Sequence, residues 1–155
     1  MQIQQLNERR EYFPQRLRDR RACLNERARA AASVRMRERL ARETALYPLT
    51  TQRRVLLAVA AEFGFDIDVL IGPRRFEEII EARCAFALIV KRRLNASFPR
   101  IGRTLNRDHS CAIGAWEKAN RIEANNQTFA ARVARIEDEL WPEQQTTGEK
   151  PSCAA

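Results

Sequence analysis

The chain has 155 residues, 45% of them hydrophobic, with 28 Lys and Arg against 20 Asp and Glu, a net charge of +8 and a pI near 10.1. That length allows one small domain with appendages, and that charge suits a polyanion or an anionic surface as partner. With 5 Gly and few β-branched runs nothing reads as a sheet, and no apolar window of about 18 residues predicts a membrane span.

Residues 1–47 read as an arginine-rich helical arm. From Gln15 to Leu46 there is neither Gly nor Pro, and Ala, Arg, Glu and Leu dominate, all residues that favour helix. Leu17, Leu24, Ala28 and Ala31 trace a thin apolar stripe, but Glu38 breaks the heptad spacing, so no coiled coil is expected. The arm is expected either to pack on the domain as a solvated helix, or to add phosphate contacts or pair with another chain. Tyr47-Pro48 marks a boundary, because the residue before proline is pushed out of the helical region.

Residues 48–141 read as an all-α domain. Thr50 or Thr51 caps a helix whose Val55, Leu56, Val59, Ala60 and Phe63 share one face, and Gly64 stops it. A short turn of helix follows, capped by Asp66 and ended by Gly72-Pro73, and the next loop holds Arg74 and Arg75. Phe76 to Leu94 is the longest periodic helix and the expected centre of the fold, with Phe76, Ile79, Ile80, Cys84, Ala87, Ile89 and Val90 inward and Arg83, Lys91, Arg92 and Arg93 on its polar face.

Ser97 to Trp116 reads as two short helices joined by a tight turn. Ser97 is a cap, Pro99 fits a first turn, Ile101 and Leu105 share a face, and Asn106 tolerates the left-handed conformation that ends a helix. Asp108 then caps the second helix with its carboxylate, leaving Arg107, His109 and Ser110 at the helix start. In helix-turn-helix motifs such N-terminal residues reach base edges in the major groove. The second helix runs through Ile113, Trp116, Ala119 and Ile122 to Asn125-Asn126, and Thr128 caps a last helix bearing Val133, Ile136 and Leu140. Residues 142–155 are polar and expected to stay disordered.

In order, the chain carries Arg74-Arg75 in a loop, Arg83 on the long helix and Lys91 near that helix's end; Phe98-Pro99, Ile101-Gly102 and Arg107-Asp108-His109-Ser110 follow. On these residues, the segment from about Val55 to Leu140 resembles the C-terminal DNA-binding domain of the bacterial replication initiator DnaA. The resemblance implies that Asp108, His109 and Ser110 read bases in the major groove and that Arg75 reaches into the minor groove. It implies supporting or phosphate contacts by Arg74, Arg83, Lys91, Phe98, Pro99 and Arg107. Cys111 stands where the family more often has a second hydroxyl residue. No G-x-x-x-x-G-K-[Ser/Thr] loop occurs, so the chain is expected to lack the initiator's ATPase module.

Two functions follow as expectations. One is a sequence-specific double-stranded DNA-binding protein of the bacterial cytoplasm, associated with the nucleoid, that regulates replication initiation or transcription. The other is a helical adaptor that dimerises or binds a protein through residues 15–46. No paired carboxylates or nucleophile–base pair suggests an enzyme. His109 is the only histidine, and Cys23, Cys84, Cys111 and Cys153 are scattered without a C-x-x-C pair, so free thiols, no metal and no cofactor are expected. A charged N-terminus without an apolar core predicts no signal peptide.

Overall fold

A computed structural model describes residues 25–46 and 51–142. They form α1 (25–46), α2 (Gln52–Phe63), α3 (Ile67–Ile71), α4 (Glu77–Leu94), α5 (Phe98–Thr104), α6 (His109–Asn125) and α7 (Gln127–Leu140), with no strand among them. The all-α expectation holds. The tail from 143 onward, residues 1–24 and the Tyr47-Pro48 boundary lie outside the described residues.

Two helices share the centre. α4 is buried from Ala82 to Val90 and packs against α2, α3, α5, α6 and α7. α2 is buried continuously from Arg54 to Ala61, which corrects the single buried face read from its sequence. A helix apolar nearly all round is one enclosed on every side. Phe86, Phe129, Leu57, Leu70, Leu88 and Ile101 fill the space between the helices.

Local chemistry sets the ends. Thr51 accepts from the Arg54 amide at 3.3 Å, and Gly64 adopts φ 70° with its amide bonded back to Ala60 and Ala61. Asp66 stands at the start of α3 but makes no capping bond; its carboxylate accepts from Arg35 of α1 at 2.9 Å. Asn126, not Thr128, caps α7, its Oδ1 accepting from the Thr128 and Phe129 amides at 3.0 and 3.1 Å. Asn wins because its amide oxygen reaches two orphan N–H groups at once. Phe76 is not part of the inward face of α4: it is the N-cap residue and 66% exposed.

α1 lies on the domain, with a different stripe from the one expected. Ala28 and Ala31 are exposed, whereas Ala32, Met36 and Leu40 are buried. Met36 and Leu40 join the main core. Ser33 donates to the Ala61 carbonyl at 2.6 Å, and Arg29, Arg35 and Arg37 pair with Glu78, Asp66 and Glu62. Leu17 and Leu24 lie outside the described residues.

Candidate nucleic-acid interface

The helix-turn-helix is built from α5, a tight turn and α6. The Leu105 amide closes α5 on Ile101 and Gly102, Asn106 takes φ 52°, and the Arg107 amide bonds the Gly102 carbonyl at 2.8 Å. Gly102 is required by proximity: a Cβ there would lie 2.6 Å from the Arg107 carbonyl oxygen. The turn thus packs directly on the helix backbone, and α6 packs against α5.

Asp108, His109 and Ser110 are all exposed at the start of α6. Asp108 has the extended backbone of an N-cap, but its carboxylate makes no capping bond, contrary to expectation. Its backbone alone anchors the helix, through the Ala112 amide at 3.2 Å, so the side chain points out unspent. Ser97 behaves likewise at α5, in the cap position without a side-chain bond.

Arg83 departs most from its expected place. It is buried, 7% exposed, and absent from the polar face assigned to it. Its guanidinium donates to the carbonyls of Leu70 at 2.7 Å, Arg74 at 2.7 Å, Gly72 at 2.6 Å and Val69 at 3.4 Å. Burial, then the charges of Arg107 and Arg75, lower its pKa from the usual arginine value. Arg83 therefore supports the loop that presents Arg74 and Arg75, both exposed, from inside the protein. Arg107, half-buried, donates to the same Gly72 carbonyl, so one acceptor ties that loop to the turn before α6.

A cleft of about 740 Å³ runs between the loop, α4 and α6. Arg75, Arg83, Arg107 and Asp108 line it, joined by Cys111 and by Arg103 and Lys118, which the sequence did not mark out. Lys118 carried no signal, being three turns of chain from the motif; Arg103 reads in sequence as an ordinary polar position of α5. Lys91, Phe98 and Pro99 sit apart, at the junction of α4 and α5. The Lys91 ammonium lies 5.0 Å from the Phe98 ring centre and 3.4 Å from the Ala96 carbonyl, and Phe98 also packs on Trp116 at 5.7 Å. The Phe98 ring is thus half-buried, a platform under Lys91, while Pro99 is exposed. Arg74 lines a second hollow with Asn25 and Arg29 of α1.

Charge is divided unevenly over the surface. Glu43, Glu62, Asp66 and Glu78 pair with arginines of α1, α2 and α7, and Glu123 and Glu137 pair with Arg92 and Arg93. Among the described residues no ion pair holds Arg74, Arg75, Arg100 or Arg103. These cations lie on the loop and on α5, beside the start of α6.

An outward helix tip, a short supporting helix and an unneutralised basic loop define a helix-turn-helix domain of the DNA-binding class. Residues 53–119 match the family described as bacterial dnaA protein helix-turn-helix. Among similar proteins, the chromosomal replication initiator protein DnaA of Synechococcus sp. is 28% identical over 53% of this chain and 18% of its own length. That of Picosynechococcus sp. is 31% identical over 56% and 20%, and that of Deinococcus radiodurans 27% identical over 73% and 24%. The chain thus spans a quarter or less of the length of these relatives. No group of His, Cys, Asp or Glu that could hold a metal occurs among the described residues, and no described helix is long and apolar enough to cross a membrane.

Proposed function

We propose that the chain reads double-stranded DNA in a sequence-specific way and so regulates replication initiation or transcription at the nucleoid. Asp108, His109 and Ser110 contact base edges in the major groove, Asp108 accepting from a cytosine amino group. Arg75 enters the minor groove, where a narrow A·T-rich segment attracts arginine. Arg74, Lys91, Pro99 and Arg107 meet phosphates, with Arg83 and Phe98 acting from behind by holding the loop and Lys91. Phosphate contacts supply affinity, and base contacts supply sequence. The observation that carries this reading is the Asp108 carboxylate, left outside its own helix cap beside exposed His109 and Ser110.

The test is selection of bound duplexes from a random pool, followed by band shifts with the selected box and scrambled controls. A strong preference for one box is expected; equal affinity for all duplexes would remove the specific-reader proposal. The adaptor reading through residues 15–46 gains less support, because Ala32, Met36 and Leu40 are already buried against the chain's own domain.

A further inference from the structure

Phe76 is a large apolar side chain on display. It is 66% exposed, at the first position before α4 and immediately after Arg75. Burying an aromatic side chain of this size is favourable, a gain this chain largely forgoes within its own fold. The backbone that carries it is firmly set: its carbonyl accepts from the Ile79 and Ile80 amides at 3.0 Å each, and Arg83 holds the preceding loop at Arg74. The two carboxylates that follow do not face a duplex unneutralised, since Glu77 pairs with Lys118 at 2.9 Å and Glu78 with Arg29. An exposed aromatic residue next in the chain to an exposed arginine that no ion pair holds has the make-up of a minor-groove wedge, in which the cation follows the groove and the ring prises apart a base step.

We propose that Phe76 enters the minor groove alongside Arg75 and wedges at one base step, so that the duplex bends as it binds. This rests on the DNA-binding reading above and adds a residue and a deformation to it. Unstacking is easiest at TA and CA/TG steps, so Phe76 imposes a preference for such a step next to the segment that Arg75 occupies.

The experiment uses the full chain and a selected duplex with dyes at its two ends, read by energy transfer, with affinity from band shifts. The unaltered chain shortens the end-to-end distance. Phe76→Ala binds about tenfold more weakly, leaves the duplex straight and loses the flexible-step preference, while Phe76→Leu, still an apolar wedge, keeps part of the bend. Both variants melt at the parent temperature, because the ring is exposed. An unchanged bend and affinity in Phe76→Ala overturns the wedge while leaving DNA binding intact. So does a lowered melting temperature with an unchanged bend, which would make Phe76 a packing residue. If the unaltered chain binds no duplex in the pool, the underlying reading falls, and the wedge with it.

Discussion

Arg83 spends its guanidinium on four carbonyls rather than on a ligand, and its substitution therefore acts on architecture first. Arg83→Met leaves those carbonyls without their charged donor, at an expected cost of about 2–4 kcal/mol in urea denaturation. Lysine cannot replace it, because one ammonium does not span the carbonyls of residues 69, 70, 72 and 74 as a planar fork does. His109 and Lys91 should separate cleanly. His109→Ala relaxes discrimination at one position by about 1–3 kcal/mol, whereas Lys91→Ala weakens every duplex to the same degree. Identical profiles for the two variants in a competition band shift would refute the division of roles. Cys84 makes the pH dependence. Burial, the largest cause, pushes its thiol from 9.0 up to about 11. The unfolded thiol ionises first, so its contribution to stability is full below pH 9 and is lost as pH rises towards 11. Cys84→Ser should flatten that part of a stability–pH curve.

At the scale of elements, glycines make the sharpest contrast. Gly102→Ala puts a methyl 2.6 Å from the Arg107 carbonyl, so the turn must shift; a loss of about 1–3 kcal/mol is expected, with weaker DNA binding. Gly114→Ala, on the exposed middle of α6, meets nothing within 4 Å and should stabilise the helix by about 1 kcal/mol. α1 tests how packing compares with ion pairs. Met36→Ala removes a side chain 2% exposed and should cost about 2–3 kcal/mol, while Arg35→Ala breaks an exposed pair worth about 1 kcal/mol or less. Thermal melts of the two variants decide it. Element positions were largely legible, because Gly64, Pro73, Asn106 and the periodicity of α4 are local signals. Which side chain caps a helix was legible at Thr51 but not elsewhere: Asp66, Ser97 and Asp108 all occupy cap positions, yet none bonds its helix amides. Tertiary partners decide that, as Arg35 does for Asp66. The burial of Arg83 was illegible for the same reason, since its acceptors are carbonyls, which every sequence has. The α1 stripe was misplaced because alanine is compatible with either face of a helix, and the buried one is chosen by the α2 surface beneath it.

Among the described residues, Glu43, Glu62, Asp66, Glu78, Glu123 and Glu137 pair with arginines of α1, α2, α4 and α7, and no ion pair holds Arg74 and Arg75 of the loop or Arg100 and Arg103 of α5. If about six phosphates are neutralised there, log K should fall with log salt at a slope of roughly −5 in a titration of duplex binding. A flat response would mean that the basic face is not the contact. The Gly72 carbonyl, held at once by Arg83 and Arg107, has a last consequence. It ties the loop to the turn before α6, so the proposed reader is a caliper whose opening is fixed before any encounter. Over-twisted and under-twisted topoisomers of the same plasmid should then differ in occupancy, although every base they offer is the same.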